Sequence, residues 1–129
     1  MNQLPKMSES EQEVMRAVWA MGGSATSPAL HAALLQSRDW KLNTVLTFLS
    51  RLAAKGLIRV DKQGRGRPSR YTAAMTEDEY KRAETAAFLG QVHGGSVQSL
   101  MTALCGEETP DAQTLAELKD WFLRLEQEP

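Results

Sequence analysis

The sequence predicts a mainly α-helical protein with one small β-hairpin: three helices and the hairpin over residues 1–75, then three more helices over 76–129. Three observations carry this. Apolar residues recur at steps of three and four in successive stretches, the spacing of a helix with one buried side. In residues 57–75, LIRVD, QGRGRPS and RYTAAM, the pattern switches to strand-like alternation, a glycine-rich turn and a returning strand. Serine, threonine and glycine stand at the edges of the helical stretches, where caps and stops belong.

The elements follow in order. SESE at 8–11 is a capping box in which the Ser8 hydroxyl accepts from the Glu11 amide and Glu11 reaches back. Val14, Met15, Val18 and Trp19 then share one side, and Gly22-Gly23 ends the helix. Ser24–Thr26 reads as a short extended piece. Ser27-Pro28 reads as a cap followed by proline at the first helical position, with Leu30, Leu34 and Leu35 facing inward and an end near Ser37. The third helix is NTVLTFLSRLAAKG, 43–56, capped by Asn43 and stopped by Gly56. After Thr76, EDEYKRAETAAFLGQV puts Tyr80, Ala83, Ala87 and Phe88 on one face. Gly94-Gly95 interrupts. Ser96 caps a short helix holding Val97, Leu100, Met101 and Leu104. Thr109-Pro110 opens the last helix, whose Leu115, Leu118, Phe122 and Leu125 alternate steps of three and four as in an interhelical seam.

Composition sets the class. The chain is 42% hydrophobic and 24% charged, ordinary for a soluble globular protein. Its apolar runs are too short to span a bilayer, so membrane insertion is not expected. The start, MNQLPKMSESEQ, lacks the apolar stretch of a secretory signal, and the single cysteine, Cys105, cannot form an internal disulfide; the cytoplasm is the expected compartment. The net charge of −1 hides a segregation: residues 1–35 carry −1, residues 36–71 carry +7 and residues 72–129 carry −7. A concentrated basic segment points to a polyanionic partner.

The third helix points to double-stranded DNA as the expected partner. Val45, Phe48, Leu49 and Leu52 gather on one side, and Asn43, Thr44, Thr47, Ser50, Arg51 and Lys55 on the other. No acid occurs between Lys41 and Val60. Threonine, serine and asparagine are weaker helix formers than the glutamate, lysine and glutamine that usually fill a solvated face. In a major groove, however, short donors and acceptors match base edges. Asn43, Thr44 and Thr47 lie toward the helix start, where base contact is expected; Ser50 shares their face, and Arg51 and Lys55 sit further on, suited to phosphates. Arg65, Arg67 and Arg70 bracket the glycine-rich turn and suit phosphate or the minor groove. The Thr26 and Ser27 hydroxyls and amides, ahead of the second helix, are candidate phosphate ligands. Three helices, then a hairpin with a basic tip, is the order of a winged helix-turn-helix domain.

The remaining chemistry is sparse. His31 and His93 stand apart from any cluster with ligand spacing, so no metal is expected. Cys105 reads as a small core residue, and Trp19, Trp40 and Trp121 as packing. Glu9, Glu11 and Glu13 occupy the first turns of a helix, where acids favour the dipole. No nucleophile–base pair or phosphate-cradling loop is present, so neither an enzyme nor a cofactor is expected. The last fifty or so residues are too few to bury a core alone. They can pack back onto the N-terminal domain or pair with a second copy, and the same seam serves both. Because a helix-turn-helix reader of a two-fold operator needs a dimer, Tyr80, Phe88, Val97, Leu100, Met101, Leu104, Leu115, Leu118, Phe122 and Leu125 are expected at an interface with a second copy.

LPKMSESEQEVMRAVW, WKLNTVLTFLSRLAAKGLI, GRGRPSRYTAAMTEDEY and FLGQVHGGSVQSLMTAL together resemble the penicillinase-repressor and methicillin-resistance-repressor regulators over nearly the whole chain. The resemblance implies a homodimeric repressor, an N-terminal winged helix, a C-terminal dimerisation domain and a dyad-symmetric operator. It also implies release by proteolysis downstream of a membrane-bound β-lactam sensor, which would make a sensor protease a partner. The best-known members are cut at an Asn-Phe pair in the fifth helix; Ala103-Leu104 stands there in this chain and marks the candidate cleavage region. The paired Cys-x-Cys motifs of the copper-responsive branch are absent, and Ala73 replaces a proline that often follows the second wing strand. Two other functions fit the same elements: a winged-helix protein-interaction module, and a regulator holding a small molecule between the C-terminal helices.

Overall fold

Ser8 starts the first helix, and its hydroxyl accepts from the Glu11 amide at 3.2 Å while the Glu11 carboxylate accepts from the Ser8 amide at 2.9 Å. The computed structural model describes residues 5–105 and 111–127. Its elements run α1 (Glu9–Ala20), β1 (Ser24–Thr26), α2 (Ser27–Leu34), α3 (Leu42–Ala54), β2 (Ile58–Asp61), β3 (Arg70–Ala73), α4 (Glu77–His93), α5 (Val97–Cys105) and α6 (Ala112–Gln127). The chain divides into two units, one ending at Thr85 and one beginning at Ala86, within α4.

In the first unit, α1, α2 and α3 bury Val14, Met15, Val18, Leu30, Leu34, Val45, Leu49 and Leu52 against one another. Each fully buried aliphatic side chain of this kind stabilises the domain by about 1.5–3 kcal/mol relative to exposure. Met7, Ala25, Leu57, Ile58 and Tyr71 close the core from its edges. The sheet has the antiparallel order β1-β3-β2, with Ala25 opposite Tyr71 and Val60 opposite Tyr71 on the other side. The short extended piece expected at Ser24–Thr26 is thus a third strand beside the hairpin. Its pairing completes the sheet against which the helices rest.

Local chemistry explains the boundaries and corrects several of them. Gly23 adopts φ +93°, and its amide donates to the Val18 carbonyl at 2.9 Å, closing α1 in a conformation that side-chain-bearing residues resist. The cap of α2 is Thr26, not Ser27: its hydroxyl accepts from the Ala29 amide, and Pro28 stands at the second helical position. Lys41 caps α3 without a side-chain hydrogen bond, so Asn43 lies inside the first turn and its amide side chain is not used as a cap. Leu35, expected to face inward, is half exposed. Thr76 and Glu79 form a second capping box at the start of α4 (3.1 and 3.2 Å). Ser96 caps α5, accepting from the Ser99 amide, and Asp111 accepts from the Thr114 amide at 2.7 Å ahead of α6. The expected Thr109-Pro110 start and the side chain of Cys105 lie outside the described residues.

In the second unit no described residue is buried. Trp121, expected to be packed, is half exposed and meets the Phe122 ring edge-on, with ring centroids 5.2 Å apart.

Candidate nucleic-acid interface

Burying Val45, Leu49 and Leu52 turns the opposite side of α3 to solvent. Asn43, Thr47, Ser50 and Arg51 are exposed, and Thr44 is half-buried at the flank. Ala54, which the sequence reading left unassigned, continues the exposed line one turn beyond Ser50. The Thr47 hydroxyl donates to the Asn43 carbonyl at 3.0 Å. The Arg51 guanidinium lies 6.0 Å from the Phe48 ring centroid, and among the described residues no carboxylate pairs with it. The surface is polar, cationic at one end and free of acids.

A brace behind this helix escaped the sequence reading. Trp40, just ahead of α3, packs its ring 5.0 Å from that of Phe48. The Arg38 guanidinium sits 5.4 Å from the Trp40 ring, and its Nε donates to the two Glu13 carboxylate oxygens at 3.1 and 2.9 Å. The Arg38 hydrogen bond holds the Glu13 carboxyl below its ordinary range, despite the opposing effect of desolvation. His31 Nε2 and the Trp40 carbonyl lie 2.8 Å apart. Together these contacts tie the segment before α3 to α1 and α2. The signal available in the sequence was the close spacing of Arg38, Trp40 and Phe48, but only the fold brings Glu13 to them.

Lys55 is set apart from the exposed residues it was grouped with. Its ammonium donates to the Glu11 carboxylate at 2.5 Å and to the Lys6 carbonyl at 2.6 Å. Glu11 is only 2% exposed. Burial pushes its carboxyl up, but the Lys55 and Ser8 hydrogen bonds and the Lys55 charge outweigh it, leaving the group below its ordinary value of 4.5. The pair fastens the end of α3 to the start of α1. Both positions were legible: Glu11 shares helical spacing with Val14, Met15 and Val18, and Lys55 with Phe48 and Leu52.

The wing presents a different geometry. Gly64 and Gly66 take φ of +110° and +76°, and the Arg67 amide donates to the Gly64 carbonyl at 3.2 Å. This tight turn displays Arg65 and Arg67, both exposed. Arg59 and Lys62 are further exposed cations along the same hairpin, unassigned from sequence. Arg70 is exposed on β3, and its guanidinium donates to the Ser24 hydroxyl at 3.2 Å. Thr26 is occupied as a helix cap, and Ser27 is buried.

The residues expected at a second-copy interface fall in two places. Tyr80 belongs to the first unit and packs on Trp19, ring centroids 5.7 Å apart; burial, with the Glu84 charge, pushes its hydroxyl up. In the second unit Phe88, Val97, Leu104, Leu115, Phe122 and Leu125 are exposed, and Leu100, Met101 and Leu118 are half-buried. Ala103, beside Leu104 in α5, is exposed. His93 Nδ1 lies 2.8 Å from the Ser99 hydroxyl. Among the described residues no three histidine, cysteine or carboxylate groups gather to hold a metal, and no helix is long and apolar enough to cross a membrane.

A three-helix core, an antiparallel sheet and a cationic hairpin beside an exposed polar helix define a winged helix-turn-helix protein. The chain belongs to the penicillinase repressor family, whose model matches residues 7–123. It is 36% identical over 115 residues to an uncharacterized 16.5 kDa protein of Latilactobacillus sakei, covering 89% of this chain and 67% of that one. It is 26% identical over 118 residues to the penicillinase repressor of Bacillus licheniformis, covering 92% and 90%. The solution structure of the Bacillus licheniformis BlaI monomeric form, in complex with the blaP half-operator, is similar at 31% identity and a TM-score of 0.51, covering 62% of this chain and 94% of that one.

Proposed function

We propose that this chain is a transcriptional repressor that binds double-stranded DNA as a homodimer at a dyad-symmetric operator. α3 enters the major groove, where Asn43, Thr44, Thr47 and Ser50 meet base edges, while Arg51 and the wing residues Arg65 and Arg67 meet the backbone. The observation that carries this is the outer face of α3: short uncharged side chains, no acid, and an arginine that has no carboxylate partner among the described residues. The half-operator complex of a relative in the same family supports it. The second unit supports the dimer. Its apolar side chains are exposed among the described residues, Leu104 at 71% and Phe122 at 55%. Release from DNA acts through this unit, by a cut near Ala103-Leu104 by a sensor protease or by another signal that separates the copies.

The test is fluorescence anisotropy with a labelled duplex from upstream of the chain's own gene, competed by the same duplex shuffled. The expected result is preferential binding to the native sequence, with log K falling as log salt rises. Equal binding to both duplexes, or none to either, overturns the proposal.

A further inference from the structure

A threonine hydroxyl carries one proton, and that of Thr47 is given to the Asn43 carbonyl at 3.0 Å, one helical turn back. β-branched threonine in a helix often makes this bond. Toward a partner, Thr47 then offers only a methyl group and oxygen lone pairs. It has no proton for thymine O4, adenine N7, or guanine O6 and N7. Two kinds of base feature remain: the thymine 5-methyl, and the amino groups of adenine and cytosine. An A·T pair presents both, whereas a G·C pair presents an amino group and no methyl. The residues one and two turns away along the same line, Asn43, Ser50 and Ala54, are short and exposed. The one long exposed side chain a turn away, Arg51, has its guanidinium 6.0 Å from the Phe48 ring centroid, toward the flank and away from Asn43, Ser50 and Ala54, which leaves the Thr47 methyl open to the roughly 4 Å approach that apolar contact needs.

We infer that Thr47 is a specificity-determining residue that reads a thymine through methyl–methyl contact, not by donating a hydrogen bond. This rests on the reading of α3 as the groove-facing helix and adds what that helix recognises.

The test begins with the full chain selecting its tightest duplex from a random-sequence pool. Each thymine of that duplex is then replaced in turn by deoxyuridine, which removes only the methyl group. Affinities are measured for the unaltered chain, Thr47→Val and Thr47→Ser. One thymine per half-site should stand out, its replacement weakening binding about four-fold, the worth of one buried methyl group. Thr47→Val should keep that sensitivity, and Thr47→Ser should lose it. The inference is overturned if no thymine is sensitive in a way that depends on residue 47. It is equally overturned if Thr47→Ser keeps the sensitivity and Thr47→Val loses it. Failure to enrich any sequence would instead overturn the operator-binding reading on which it rests.

Discussion

Lys55→Met keeps an unbranched side chain at the end of α3 but removes its charge and the hydrogen bonds to Glu11 and the Lys6 carbonyl. A hydrogen bond to a charged group contributes about 1.5–3 kcal/mol, and breaking a fully buried ion pair costs about 3–5 kcal/mol. Glu11 is 3% exposed at its side chain, but Lys55 is 31% exposed, so water can reach the vacated place. The cost should therefore lie near the lower figure, about 2 kcal/mol. For a domain of this size each kcal/mol moves the midpoint by about 4–8 °C, giving a fall of roughly 8–16 °C in thermal unfolding followed by circular dichroism. Operator affinity and its salt slope, measured below the new midpoint, should not change. A midpoint lowered by less than about 2 °C, together with a salt slope reduced by about one, would refute the reasoning. Lys55 would then be a phosphate contact, as its place in the sequence first suggested.

Further outcomes follow from the same geometry. The carboxyls of Glu11, Glu13 and Asp111 are each held below their ordinary range, chiefly through the Lys55 and Ser8 hydrogen bonds outweighing burial for Glu11, the Arg38 hydrogen bond for Glu13 and the Thr114 amide for Asp111. Because folding lowers these values, the stability they contribute is complete above the unfolded values near 4 and is lost as pH falls through the folded ones; the midpoint should be flat from pH 7 to 5, fall below about 4.5, and fall less steeply in Lys55→Met. Arg65→Ala with Arg67→Ala should weaken operator and random DNA alike and lower the salt slope by about two, whereas an unchanged slope would remove the wing from the interface. Phe122→Asp should sediment as a monomer and lose operator affinity by roughly 100-fold or more while circular dichroism shows the helices intact; a folded dimer that binds normally would place the interface elsewhere.

The sequence made some features legible and concealed others for identifiable reasons. The capping box at Ser8, the glycine stop after α1 and the amphipathic pattern of α3 depend on residues close in the chain, and local chemistry sufficed for them. The pairing of Ser24–Thr26 with Arg70–Thr72 joins segments far apart, so only the extended character of the piece could be read and not its partner. The outer face of α3 was legible because periodicity dictates which side is buried. Its start was misjudged because asparagine at position 43 has the chemistry of a cap, whereas the helix begins at Leu42 behind Lys41, a cap residue that makes no side-chain hydrogen bond and so leaves no signal in the sequence. The Glu13–Arg38–Trp40–Phe48 brace was out of reach, because a carboxylate on α1 meets a guanidinium beyond α2 only once the helices have packed. Lys55 was placed with Arg51 on the polar side of α3, although its helical spacing from Phe48 and Leu52 sets it at the edge of the buried face, where the Glu11 carboxylate waits. Charge alone says that a cation is present; whether it faces a partner or fastens the core depends on what the fold sets beside it.

That the outer face of α3 reads sequence is tested most directly by selection from a random-sequence duplex pool. The unaltered chain is compared with a variant carrying Asn43→Ala, Thr47→Ala and Ser50→Ala, all at exposed positions. The unaltered chain should enrich one dyad-symmetric motif. The variant should remain folded and bind DNA with the same salt slope, since Arg51, Arg65 and Arg67 are untouched, yet enrich no motif. Enrichment of the same motif by the variant would contradict the account and place base recognition on other side chains.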